Sequence, residues 1–340
     1  MKRWYFWVGI LVSVLFLFLA LRGLQLDLVV SSVKSANLLW LLPVVPLYFT
    51  SVGFRSLRWN YLLRPVKKVP TREIFPVVAI GYMGNNIFPA RAGELLRSIV
   101  LKHRYGIPIS ASLASIIVER IIDGVVMLGF IFFNLTELNR LTDASGFVGS
   151  IRSLALWGSL IFMGALLFFI LAASLPRKVE NLIRWLVRKT MPEKWQVKIL
   201  DITMRFITGI QALSSIKSMF LVLGTSVVIW LLETSVYWVV MQAFPFSVNF
   251  FALMLMNGIL NLSTTLPSAP GYIGTFDAPG IALLSAYGIE KSLAAGYTLL
   301  LHAALWLPVT LLGAFFFTRE GLNWSKELEA ARAEKEGKHS

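Results

Sequence analysis

The stretch that decides the architecture is residues 74–110, IFPVVAIGYMGNNIFPARAGELLRSIVLKHRYGIPIS. Its first half is apolar enough to enter a bilayer, yet Pro76, Gly81, Gly84, Asn85, Asn86 and Pro89 interrupt it, and a charged helical run follows at once. Proline removes a backbone donor and glycine weakens a helix, and unpaired backbone groups are too costly to leave facing lipid. The segment therefore reads as a helix that enters the membrane, breaks near Pro89 and turns back. Residues 250–267 repeat the design: Asn257, Gly258, Asn261 and Pro267 interrupt an apolar run, and SAPGYIGTFDAPG (268–280) follows. Moreover, Tyr105-Gly106-Ile107-x-x-Ser110 returns as Tyr287-Gly288-Ile289-x-x-Ser292, each time just before the next apolar helix. Two broken segments with a shared trailing motif indicate an internal repeat.

The rest of the chain fits this frame. Its 340 residues are 56% hydrophobic and 15% charged, with a mean hydropathy of +0.71, far from the composition of a water-soluble domain. Apolar runs near 5–21, 38–54, 107–134, 153–175, 217–243 and 293–318 each approach the ~20 residues that a spanning helix requires. The expectation is an all-α polytopic membrane protein with about six full transmembrane helices and two oppositely oriented re-entrant hairpins in an inverted repeat. The run 5–21 reads as a retained helix rather than a signal peptide, because it is long and no small-residue cleavage site follows. Residues 1–320 form one transmembrane domain and 321–340 a charged cytoplasmic tail. Within the domain, 176–216 is a cytoplasmic amphipathic segment, with Val179, Leu182, Ile183, Leu186 and Val187 on one face and Ile199, Ile202, Phe206, Ile210 and Leu213 on another.

The net charge of +14 in so apolar a chain points to a membrane rather than to nucleic acid. Under this topology Arg22, Lys34, Arg140, Arg152 and Lys291 lie outside, Arg91, Arg97 and Arg120 lie within the membrane, and the remaining basic residues lie inside. That asymmetry places both termini in the cytoplasm of a plasma-membrane protein. There are no cysteines, and His103, His302 and His339 are scattered, so neither metal nor cofactor is expected.

Charges inside apolar segments need a reason, since each costs about 2.5–3.5 kcal/mol to insert. Arg91, Glu94 and Arg97 follow the first break at helical spacing; Glu119, Arg120 and Asp123 interrupt the run 107–134; Glu233 sits in 217–243, and Asp277 lies past the second break. Each has a plain structural reading: pairs along one helix, a buried ion network that gives Glu119 and Asp123 a cation, or a lone hydrogen-bonded acid. Arg97 can snorkel to the inner surface, and Arg55 and Arg58 read as interface anchors closing the second helix. Arginines in excess over nearby carboxylates at the first break nevertheless leave a cationic face, and broken helices add free N–H groups that suit phosphate oxygens. Asn85, Asn86, Asn257 and Asn261 supply neutral donors and acceptors.

The motifs NNIFPARAGELLR (85–97), VERIID (118–123) and APGYIGTFD (269–277), in that order, resemble the flippase-like membrane domain of the lysylphosphatidylglycerol synthase family. The resemblance covers roughly residues 5–320. It implies a domain that moves lipid headgroups between leaflets past two re-entrant elements, and it implicates Asn86, Pro89, Arg91, Gly93, Glu94, Arg97, Glu119, Arg120, Asp123, Pro270, Gly271, Gly274 and Asp277. Tyr272 stands where the family usually has a second glycine, and Asp277 where it has glutamate. The soluble aminoacyl-transferase domain of the full-length synthases is not expected here.

The expected function is translocation of an anionic or aminoacylated phospholipid, or of a polyprenyl-phosphate-linked lipid, by a transporter rather than an enzyme. Its rivals are an integral-membrane transferase acting on a lipid phosphate and a non-catalytic partner of a lipid-modifying enzyme. Partners are the lipid headgroup and the bilayer; nucleic acid is not one, and a separate lipid-modifying enzyme or a second copy of the chain stays open.

Overall fold

The computed structural model describes Leu11 and residues 26–88, 91–134, 136–137, 147–190, 192–266 and 268–320. The rest of the expected first helix, the breaks at Pro89 and Pro267 and the tail 321–340 lie outside the described residues. What is described is helical: α1 (Leu26–Ser35), α2 (Leu41–Leu63), α3 (Thr71–Ile87), α4 (Ala92–Tyr105), α5 (Ile109–Phe133) and α6 (Phe147–Ser174) come first. They are followed by α7 (Pro176–Thr190), α8 (Glu193–Ile210), α9 (Ile216–Met241), α10 (Phe250–Ser263), α11 (Asp277–Ala286) and α12 (Lys291–Arg319). Several helices start on a side-chain cap that accepts an otherwise unpaired N–H: Ser215 from Ser218, Asn249 from Ala252, and Glu290 from both Ser292 and Leu293.

Among the described residues, 38–63, 155–174, 216–241 and 291–319 are long and apolar enough to cross a bilayer. The 25 residues of α5 also suffice in length, but Glu119, Arg120 and Asp123 lie within it. By contrast, α3 with 17 residues and α4 with 14 reach about 26 and 21 Å at ~1.5 Å per residue, short of ~30 Å of hydrocarbon. The later pair, α10 with 14 residues and α11 with 10, is shorter still. The outer surface carries Leu156, Trp157, Leu160, Ile161 and Phe168 of α6, all more than half exposed. That face is a liability in water and the normal state against lipid tails.

Packing partners reveal the repeat. α2 packs on α9, α3 on both α2 and α12, and α10 on both α9 and α5, while α4 packs on α3 and α5, and α11 on α10 and α12. Exchanging the group α2–α5 for the group α9–α12 maps each of these pairings onto another. The trailing motif behaves identically in both halves, since Gly106 (φ 68°) and Gly288 (φ 83°) both turn the chain through the left-handed region before the next helix. That is glycine's usual role after a helix end.

One expectation requires correction here. The second apolar helix does not end near 54 with Arg55 and Arg58 as interface anchors: α2 runs to Leu63, and the two arginines are 4% and 0% exposed. Buried carboxylates from other helices pair with both, which removes the reason to snorkel. The second helix of the amphipathic segment also packs inward: Ile207 and Ile210 are buried, and Gly209 sets α8 directly against the backbone of α5 at Ala111.

Small residues let the limbs of the first pair touch. A β-carbon on Gly93 would lie 1.9 Å from the Gly81 carbonyl oxygen and 2.4 Å from the Asn85 nitrogen. Gly93→Ala must therefore push α3 and α4 apart, at a cost of about 1–3 kcal/mol or more. Gly53→Ala meets nothing within 4 Å and serves as the control. Melting followed by size-exclusion chromatography in detergent is expected to show a lowered midpoint for the first variant and an unchanged one for the second.

Candidate functional site

Residues that flank the two breaks, far apart in sequence, meet in space. At the first, Arg91 precedes α4 in the left-handed region (φ 53°), and at the second Gly271 (φ 72°) and Tyr272 (φ 62°) adopt the same conformation. Non-glycine residues held there cost on the order of 1–3 kcal/mol and cluster at functional sites. The Arg91 guanidinium donates to the Thr264 carbonyl oxygen at 2.8 Å and stands 5.6 Å from the centre of the Tyr272 ring. Nearby, Asn86 donates to the Thr310 hydroxyl at 2.8 Å and the Trp306 carbonyl at 3.3 Å, joining α3 to α12.

Around this meeting point opens a cavity of about 110 Å³. Its ionisable lining is Arg55, Arg91, Arg120, Glu233 and His302. Rings from Tyr48, Tyr82, Trp230, Tyr272, Phe276 and Trp306 supply most of the remaining wall, with the amides of Asn86 and Asn261. Three guanidiniums thus face one carboxylate, and that carboxylate is already bound: Arg55 pairs with Glu233, donates to the Tyr82 hydroxyl at 2.8 Å and lies over the Trp230 ring at 4.6 Å.

Further carboxylates stand behind the wall rather than in it. Arg58, fully buried, pairs with Asp123, reaches Glu119 at 3.1 Å and donates to the Ser226 hydroxyl at 2.9 Å. Asp123 also accepts from the Trp230 indole at 2.8 Å. Arg120 turns its own guanidinium to Glu94 at 3.1 Å, Glu119 at 3.5 Å and Asp123 at 3.6 Å. Arg97 reaches Glu119 at 3.5 Å beneath the Trp59 ring, and at 3% exposure it does not snorkel. The effect is an arginine layer facing the cavity and a carboxylate layer holding it from behind, an arrangement in which low dielectric strengthens every pair.

At the second break Asp277 accepts from the Gly274 N–H at 2.9 Å and contacts His302 Nδ1 at 2.8 Å, while His302 Nε2 lies 2.7 Å from the Gly271 carbonyl oxygen. One imidazole therefore ties α12 to both ends of the irregular loop.

Of the residues singled out from sequence, Asn86, Arg91, Arg120, Glu233, Asn261 and Gly271 line the cavity. Glu94, Arg97, Glu119, Asp123, Gly274 and Asp277 brace it, Pro270 opens the short turn of the second break, and Asn85 is buried against Gly93. Asn257 is fully buried and bonds to Trp230 and Thr234 instead. Sequence reading missed Tyr48, Tyr82, Trp230 and Trp306, which look like ordinary apolar-helix residues. It also passed over His302, a lone histidine in an apolar helix whose polarity was the available signal.

The two arginine sets are expected to separate on mutation. Arg58→Ala leaves Glu119 and Asp123 buried with less compensation, at about 3–5 kcal/mol. Arg91 is partly open, at 27% side-chain exposure, and Arg91→Ala is expected to cost about 1 kcal/mol or less. Thermal melts in detergent would show a large drop for the first and a small one for the second; equal drops would mean that Arg91 is structural.

Comparison with known proteins places this geometry. A protein of Haloferax volcanii named glycosyltransferase AglD is 25% identical over 90% of this chain, which spans only 52% of that protein. UPF0104 membrane proteins of Methanothermobacter thermautotrophicus (23% identical, covering 93% of each chain) and Methanocaldococcus jannaschii (22%, covering 89% of this chain and 91% of the other) are also similar. No solved structure matches. The expectation of a transporter rather than an enzyme is corrected by the first relative, whose name is that of an enzyme and whose similarity covers nearly this whole chain. Residues 6–313 match the family described as the lysylphosphatidylglycerol synthase TM region, and the chain belongs to that family of membrane proteins.

Proposed function

We propose that the chain takes the phosphate-bearing headgroup of a membrane lipid into the arginine-walled cavity and carries that lipid between leaflets of the plasma membrane, with both termini cytoplasmic. The observation that supports this most directly is the character of the lining: Arg55, Arg91 and Arg120 reach the cavity, whereas of the carboxylates that pair with them only Glu233 does. Guanidiniums fork onto phosphate oxygens, and a headgroup entering from lipid finds them where two irregular breaks meet, as in transporters that build a midplane site from interrupted helices. Aromatic rings give the rest of the headgroup an apolar surface. Alternation between the leaflets would then rock one half of the repeat against the other, parting the Arg91 contact with Thr264.

A second reading, chemistry on the same lipid phosphate, draws on the relative named a glycosyltransferase. It uses the same cavity, with the cationic wall stabilising charge on a phosphate leaving group.

Reconstitution in liposomes with a fluorescent anionic phospholipid and a membrane-impermeant quencher tests the translocation reading. Wild type is expected to expose inner-leaflet lipid faster than empty liposomes, and Arg91→Ala to slow exposure about 10- to 100-fold, the worth of one charged hydrogen bond of about 1.5–3 kcal/mol. Mass spectrometry of the recovered lipid separates the readings: translocation leaves it unchanged, transfer alters it. Equal rates for wild type and empty liposomes, with unaltered lipid, would remove both.

A further inference from the structure

The cavity wall determines which headgroups it can accept, and this step rests on the headgroup reading above. Proteins hold an ammonium group with a carboxylate that has no other partner or with open aromatic faces. Here the carboxylates and most of the rings are already in use. Glu233 is bound to Arg55, and Glu94, the most open of the carboxylates behind the wall, lies between Arg120 at 3.1 Å and Arg91 at 3.8 Å. Arg55 stands 4.6 Å from the Trp230 ring centre and 5.3 Å from that of Tyr82, Arg91 covers Tyr272, and Phe276 packs on His302 with ring centres 4.7 Å apart.

We infer that the site accepts a lipid phosphate whose headgroup carries no positive charge, such as a polyol or bare phosphate, and rejects aminoacylated and ammonium-bearing lipids. An ammonium entering this space would meet three guanidiniums at short range, and such like-charge juxtaposition inside a low-dielectric site is a strong device of exclusion. The neutral part of an accepted headgroup would contact Trp306, Tyr48 and the amides of Asn86 and Asn261, which suit hydroxyl groups. Family membership alone would not give this selectivity; it follows from how the carboxylates and most of the rings of this cavity are already engaged.

The test is competition on the purified full chain in detergent micelles. A fluorescent phosphatidylglycerol is bound, then displaced with unlabelled phosphatidylglycerol, lysyl-phosphatidylglycerol or phosphatidylethanolamine. Phosphatidylglycerol is expected to displace the probe at concentrations on the order of tenfold or more below the two ammonium-bearing lipids. Lysyl-phosphatidylglycerol displacing as well as or better than phosphatidylglycerol would overturn the selectivity while leaving the headgroup site standing. Probe binding that is absent, or unchanged in Arg91→Ala, would overturn the site itself and the selectivity with it. Arg55→Gln adds a gain-of-function arm: it releases Glu233, and the gap between the lipids is expected to narrow. Should that variant fail to fold, the wild-type comparison still decides.

Discussion

The interaction on which the structure depends is the fully buried Arg58 guanidinium, held by Asp123 and Glu119 of α5 and by Ser226 of α9. A charge placed there has no route to water, so α2, α5 and α9 must keep their mutual register for it to exist at all. The same carboxylates then serve a second layer of arginines. Asp123 and Glu119 also contact Arg120, and Glu119 contacts Arg97, so the pairs that fix the helices also fix the direction in which the cavity arginines point. Structural and functional charge are here one network with two faces.

Aromatic residues make that network tolerable in an apolar protein. Trp59 and Trp230 lie against Arg97 and Arg55, and each also donates its indole N–H, to Ser115 and Asp123. In Trp230 a ring face and a ring edge thus satisfy opposite charges with a single side chain.

Much of the architecture was legible in the chain itself. Broken runs around Asn86 and Asn261 and the recurring Tyr-Gly-Ile triplet announced two related halves, because backbone interruptions in an apolar segment have few physical causes. The charged residues of α4 and α5 were equally visible, since insertion costs make each conspicuous. Which of them face the cavity was not, because this depends on helix rotation set by contacts such as Gly93 against Asn85. Arg55 and Arg58 were misread for a related reason: a basic residue closing an apolar run looks the same whether it reaches water or a carboxylate three or seven helices further along the chain. Trp230, Tyr82 and His302 gave little warning, as each is compatible with an ordinary membrane helix.

Two of the ties that close the cavity end on main-chain oxygens: Arg91 on Thr264, and His302 on Gly271. Every amino acid presents the same carbonyl. The Thr264 position is therefore free to drift in sequence without loosening the joint, whereas Gly271 is held by its left-handed backbone and by Trp306. Correlated substitution between relatives would not betray the Arg91 tie, for which genomes keep a record of only one partner.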